Sequence, residues 1–275
     1  ADYRIGFKWW ALIIAVVFVI SELVCVACVP ERPVACDEKP GKISDMFKAL
    51  FKNDQAMTVV VSIILVYTSL NICGNLVLYF FRFDVGNEGA YSIFAAVAFA
   101  AQVLVMMVIP LLRKRFSKSQ LFISGFIIQI AGFAVILIMA FAKLYTPQSW
   151  YILCLPGILI YLGYGMLNVI MTIFLSDSVD YGEVMNGTRE ESVIFSMQTF
   201  TVKLASGVAV FLAGLVVDWI HLDTAAAVQT QDTLDALRMW MTIPSVILLI
   251  VGIFVFKRFY KLDDARMEEI KSKLN

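Results

Sequence analysis

The sequence predicts an all-α polytopic membrane protein with seven transmembrane helices. Three observations carry that prediction. Of the 275 residues, 60% are hydrophobic and only 16% charged, with a mean hydropathy of +0.82. Soluble domains are roughly half apolar and about a quarter charged. Seven apolar runs each approach or exceed the roughly 20 residues needed to cross a bilayer. No run alternates with period two, which argues against a β-barrel. The 22 Lys+Arg offset 22 Asp+Glu, so nothing points to a polyanion such as nucleic acid as partner.

The first run, Phe7–Val29, follows Arg4 and Lys8 and ends in small residues near Ala27. That outline resembles a secretory signal. Cleavage, however, would put the cation-rich stretch 30–54 on the side that the other charges oppose, so the run is read as a span. Pro30, Pro33 and Pro40–Gly41 break structure in that stretch. Ser44 can then cap a short helix, Asp45–Asn53, with Met46, Phe47, Leu50 and Phe51 on one face. It either lies on the membrane surface or serves as a packed connector.

The next runs are Gln55–Phe81, Tyr91–Leu112, Leu121–Ala142, Trp150–Leu175, Val193–Ile220 and Met239–Phe256. Charges or turn residues end each one. In the fifth span, Pro156-Gly157 and Gly163-x-Gly165 suggest a helix able to bend, with Asn168 facing the interior. The chain is thus divided into a first helix (1–29), a middle loop (30–54), a six-helix unit (55–256) and a tail (257–275).

Lys and Arg set the orientation. Of the 22, 16 fall in 30–54, 113–120, 176–192 and 257–275, and five in 1–8, 82–90, 143–149 and 221–238. The first group is therefore placed in the cytoplasm, with the N-terminus outside and the C-terminus inside. An odd number of spans, an outside N-terminus and a first residue other than Met raise the expectation of a piece of something longer.

Enzymatic chemistry finds no support. No Walker A loop or G-x-S-x-G appears. The five Cys (Cys25, Cys28, Cys36, Cys73 and Cys154) contain one close pair, and the single His221 is placed across the membrane from it. No metal site is expected. Small apolar residues in spans account for most of these cysteines.

The one cation that the orientation count cannot place is Lys203, near the middle of Val193–Ile220. A charge in lipid costs roughly 2.5–3.5 kcal/mol on insertion scales. Thr199 lies one turn before it, Gln198 flanks it, and Ser206, Gly207 and Val210 follow. This polar stripe should line a cavity or pair with a carboxylate, for function or as a structural ion pair. Glu22, in the first span, is no obvious partner. A second stripe, Asn71, Asn75 and Tyr79, shares one helix face at i, i+4, i+8 beside Gly74. It can bind a polyhydroxylated ligand or bridge helices. A third set is Asp177, Asp180 and Glu183, read as a loop after the fifth span, followed by Arg189. Acids there oppose the helix dipole and want partners. Arg189 and Arg113-Lys114-Arg115 are candidates for a breakable latch, and a solvated loop is the alternative.

The run Asp177-Ser-Val-Asp-Tyr-Gly-Glu183, then Arg189, Phe195-Ser-Met-Gln-Thr199 and Lys203, resembles the signature of the glycoside–pentoside–hexuronide:cation symporters of the major facilitator superfamily. Asn71 to Phe80, Pro244 and Arg258–Leu262 fit as well. The resemblance implies twelve helices in two six-helix halves, with these spans as helices six to twelve and 30–54 as the middle loop. It implies alternating access around a central sugar site, coupled to Na+ or H+, with no other cofactor. Lys203 would join sugar and cation sites through carboxylates of the missing N-terminal half. Gln198, Thr199 and Val202 would lie near the sugar. Asp177, Asp180, Glu183 and Arg189 would form a cytoplasmic gating network. Asn168 departs from a sugar-contacting Trp known in the family, so galactoside specificity does not carry over.

The expected function is a cation-coupled sugar or glycoside symporter of a bacterial inner membrane. The chain alone should not transport. The alternatives are a transporter of lysolipids or other amphiphiles with the same fold, and a non-transporting receptor or scaffold.

Overall fold

The computed structural model describes residues 3–28, 51–187, 189, 191–226 and 228–274. The chain divides into two units, 1–42 and 43–275, each described by itself. Most of the middle loop, including Ser44, Asp45 and Cys36, lies outside the described residues. No strand occurs among those described, and seven helices are long and apolar enough to cross a membrane.

In the first unit, α1 (Tyr3–Cys28) is a 26-residue helix. At 1.5 Å per residue it measures about 39 Å, enough to cross a bilayer. In the second unit, α2 (Asp54–Tyr79) continues into a π-helical turn, Phe80–Asp84. Then come α3 (Ala90–Leu112), α4 (Lys118–Phe141), a 3₁₀ turn (Trp150–Leu153) leading into α5 (Cys154–Asn186), α6 (Glu191–Trp219), α7 (Gln231–Phe259) and a short α8 (Asp264–Leu274).

Local chemistry sets the starts. Asn53 caps α2 by accepting from the Ala56 N–H at 2.9 Å. Ser117 and Gln120 form a reciprocal capping box at α4, and Thr230 caps α7. Each satisfies N–H groups that a helix start leaves open. Gly187 ends α5 in the left-handed region, at φ 74°, which costs a glycine little.

Three boundaries correct the sequence reading. Helix α5 runs eleven residues past Leu175, so Asp177, Asp180 and Glu183 lie on its last turns and not in a loop. Helix α7 begins eight residues before Met239, which brings Arg238 into the helix. The tail contains α8, whose Met267 and Ile270 pack with Leu262 and Tyr181.

Helix α5 is packed by α3, α4 and α2, whereas α6 rests mainly on α2 and only lightly on α5. Lipid tails are as apolar as the side chains, so close packing and hydrogen bonds must join the helices. Glycines of α5 provide the close packing. A Cβ on Gly163 would lie 2.5 Å from the Gly125 carbonyl of α4, and one on Gly157 would lie 2.4 Å from the Phe94 ring of α3. Helix α5 is one continuous helix, and its small residues let its neighbours approach closely. The hydroxyl of Ser69 donates to the Ser245 carbonyl at 3.1 Å, and that of Ser245 donates to the Ser69 carbonyl at 2.8 Å, joining α2 to α7. Phe122, Phe174, Phe256 and Tyr260 pack together with ring centroids 4.4–5.2 Å apart, in stacked, tilted and edge-to-face pairs that tie α4, α5 and α7.

Candidate functional site

The second unit has two polar ends. At one, the π turn carries Asp84 to Arg238 of α7. The guanidinium donates from Nη2 to Oδ1 at 2.5 Å and from Nε to Oδ2 at 2.9 Å, with the side chains 4 and 3% exposed. Tyr145, in the α4–α5 connection, donates its hydroxyl to the same carboxylate at 2.6 Å. Burial and the Asp84 carboxylate push the Tyr145 phenol above its ordinary range, so it stays a donor. Asp235 accepts from Arg238 Nη1 at 2.7 Å. Asn87 donates to the Pro147 carbonyl and Arg82 to that of Thr224. Connections 82–90, 143–149 and 221–230 therefore share this end.

At the other end, Lys118 of α4 pairs with Asp177 of α5, both side chains buried. Asp264, at the start of α8, lies 3.5 Å from Lys118 and 3.4 Å from Arg113. Asn53 donates to the Ser178 carbonyl at 2.8 Å. Arg189 forms a separate cluster, with Asp180 at 3.0 Å, Glu183 at 2.8 Å and Glu191 at 3.2 Å. Hydrogen bonds donated to the Glu183 and Asp180 carboxylates raise the guanidinium above its already high ordinary value. Of the four charged residues singled out in sequence, three come together here. Asp177 binds Lys118 instead, and of the Arg113-Lys114-Arg115 cluster Arg113 reaches Asp264, not the α5 acids.

Between the ends, polar side chains link three helices. Asn168 of α5 donates from Nδ2 to the Tyr67 hydroxyl of α2 at 2.5 Å. The Tyr164 ring meets Tyr67 edge-on at 5.5 Å. Thr172 donates to the Asn168 carbonyl at 3.2 Å, and Gln198 of α6 donates to the Thr172 hydroxyl at 3.4 Å. Gln198 and half-buried Val202 lie one turn apart on α6. Thr199 and Lys203 lie on an adjoining, exposed strip of the same helix. Lys203 makes no ion pair among the described residues. Thr201, Ala205 and Ala209 form the buried side of α6.

The Asn71–Asn75–Tyr79 stripe is partly satisfied by its own helix. Asn71 donates to the Tyr67 carbonyl and Asn75 to the Asn71 carbonyl, both at 2.7 Å. Asn75 and Tyr79 line a groove against α6, whereas Asn71 does not join them. No group of three His, Cys, Asp or Glu able to hold a metal occurs among the described residues.

Residues 3–264 match the model of the family described as MFS/sugar transport protein. The chain belongs to that family. The resemblance to the glycoside–pentoside–hexuronide symporters is borne out by the relatives of this MFS/sugar transport chain. It is 25% identical over 254 residues to an uncharacterized symporter of Bacillus subtilis, covering 92% of this chain and 54% of that one. It is 23% identical over 234 residues to the raffinose carrier protein of Pediococcus pentosaceus, covering 84% and 35%. It is 25% identical over 261 residues to the isoprimeverose transporter of Lactiplantibacillus pentosus, covering 94% and 52%. The chain spans about half the length, or less, of these curated relatives. They are transporters, not enzymes, which agrees with the lack of catalytic motifs.

The sequence reading missed Asp84, Tyr145, Arg238 and Lys118. Thr230-x-x-Thr233 was the available signal for Arg238, because that cap starts α7 early enough to place the arginine inside it.

Proposed function

We propose that this chain supplies the C-terminal half, and one helix before it, of a cation-coupled sugar symporter that works by alternating access. In this reading α1 corresponds to helix six, 30–54 to the middle loop, and α2–α7 to helices seven to twelve. The observation that carries the reading is the exposed Lys203, without an ion pair among the described residues, beside the polar chain Tyr67–Asn168–Thr172–Gln198. An ammonium at that depth demands an anionic partner or water. Membership of the MFS/sugar transport family supports a carboxylate from the other half as that partner. The sugar would lie against Gln198, Thr199, Val202 and Asn168, with Tyr67 holding the Asn168 amide. Na+ or H+ would bind the carboxylates that Lys203 also senses, so that site occupancy and sugar affinity rise together.

The cation count supports a cytoplasmic location for the Arg189 end and an outside location for the Asp84 end, in a bacterial inner membrane. The Arg189 cluster and the Lys118–Asp177–Asp264 set would close the inside while the outside is open. The names of the relatives support a sugar or glycoside as cargo.

The test is uptake by the intact protein in membrane vesicles. Lactose, raffinose and isoprimeverose are offered under imposed Na+ or H+ gradients. Uphill accumulation of at least one sugar, abolished when both gradients are collapsed, supports the proposal. Gradient-independent binding without uptake would favour a receptor or scaffold.

A second reading, transport of a lysolipid or another amphiphile, draws on an apolar groove of about 510 Å³ lined by Ile72, Leu212, Trp240, Ile243 and Pro244. Competition by lysolipids, and not by sugars, would favour it.

A further inference from the structure

Between α2 and the Asp84-end half of α6 lies an open groove of about 560 Å³. Its lining includes Asn75, Tyr79, Val210, Phe211, Gly214 and Asp218. That volume falls within the range of about 300–1,000 Å³ usual for small-molecule sites. We propose that this groove is a separate sugar subsite, in which a glycoside is held by Asp218, Asn75 and Tyr79 before it reaches the level of Lys203. The inference rests on the sugar-transport reading given above.

The chemistry of the lining fits a polyol. Asn75 spends its Nδ2 on the Asn71 carbonyl, which leaves its amide oxygen to accept from a sugar hydroxyl. The Tyr79 ring packs parallel to Phe83, at 6.5 Å and 7°, so it offers both a fixed apolar face and a phenol. Asp218 stands in the last turn of α6, where a carboxylate opposes the helix dipole. No hydrogen bond or ion pair engages its side chain among the described residues. Its two oxygens are thus open to adjacent hydroxyls, the strong charge-assisted kind of acceptor. A Cβ on Gly214 would meet nothing within 4 Å, so the wall beside these groups leaves room for a ring.

The position separates this groove from the polar chain at mid-membrane. At 1.5 Å per residue, Val210 lies about 10 Å and Asp218 about 22 Å along α6 from Lys203. A sugar held by Asp218 therefore does not touch the Lys203 ammonium. A cation is a poorer occupant. Hard cations take about six to eight oxygen ligands, commonly from several carboxylates, and this lining has one.

The test uses the intact transporter and the sugar accumulated fastest in the panel above. Asp218→Leu should raise the KM for uptake about ten- to a hundredfold, the worth of hydrogen bonds to a charged acceptor, with the maximal rate within about twofold of the parent. Asp218→Asn, which keeps an acceptor, should fall between. A Gly214→Cys probe should be alkylated by a membrane-impermeant maleimide, and the sugar should slow that alkylation relative to the same protein without sugar. An unchanged KM in Asp218→Leu at parental abundance overturns the subsite. So does alkylation of Gly214→Cys that sugar leaves unslowed, and this second result decides alone if Asp218→Leu is poorly produced. A parent that accumulates no sugar overturns the transport reading itself, and the subsite with it.

Discussion

Arg238 and Asp84 meet through two parallel hydrogen bonds, although 154 positions separate them in sequence. One closes the π turn that ends α2, and the other sits on the second turn of α7. Both side chains are almost wholly buried, so neither charge can fall back on water. Breaking such a pair leaves an uncompensated buried charge, at a cost of about 3–5 kcal/mol. Arg238→Met, which leaves the Asp84 carboxylate with only the neutral Tyr145 donor, should lower the stability of the protein in mild detergent by that amount, and Asp84→Ala should cost less, because Asp235 still accepts from Arg238. Tyr145→Phe, which removes one neutral donor to Asp84, should cost about 1 kcal/mol. Unfolding followed by tryptophan fluorescence checks the order.

The two ionic clusters at the opposite end should behave differently from each other. Lys118 and Asp177 are buried, with side chains 8 and 7% exposed, whereas Arg189 is 47% exposed. Lys118→Met should therefore destabilise markedly. Arg189→Gln should change stability by less than about 1 kcal/mol, as exposed pairs do. The same unfolding assay compares them, and equal losses would contradict the assignment of the two environments.

Glycine positions on α5 and α6 should divide by what lies opposite. On Gly163→Ala the new methyl meets the Gly125 carbonyl at 2.5 Å and the Gln129 amide nitrogen at 2.6 Å, both backbone atoms of α4. Overpacking of this kind typically costs about 1–3 kcal/mol. On Gly207→Ala the methyl meets nothing within 4 Å, and better helix propensity should leave stability unchanged or slightly raised. Melting temperatures of the two variants provide the check.

Tyr67→Phe removes the acceptor of the Asn168 amide. If Asn168 faces the sugar, its release should raise the KM for sugar uptake about three- to tenfold, and Tyr67→Phe should do so without loss of folded protein. Uptake kinetics paired with the yield of monodisperse protein separate the two effects.

The spans were legible in the sequence because a bilayer imposes one requirement, a long apolar run, that a single stretch of chain displays by itself. Helix ends were less legible. Helices α5 and α7 continue past the apolar run into polar sequence, where backbone hydrogen bonding persists after hydropathy has dropped. Asp177 and Arg238 were misplaced for that reason. The pattern in α8 is short: Met267 and Ile270, three apart, with Leu262 before them, too little to announce a helix by period alone. Lys203 and Gln198 were legible because polarity within an apolar run stands out. The Asp84–Arg238 and Lys118–Asp177 pairs were not, because each residue looks like an ordinary flanking charge until the fold supplies its partner. Asn71 and Asn75 misled in part, since i to i+4 spacing says which face they share but not that their amides bond back to the helix.

The most direct measurement concerns Lys203. Uphill accumulation of sugar is followed in vesicles carrying the intact protein or its Lys203→Ala variant, with the amount of folded protein matched. The account predicts that the variant is produced and folded, binds sugar weakly at best, and accumulates none under either a Na+ or an H+ gradient. Accumulation by Lys203→Ala at near the parental level would contradict it.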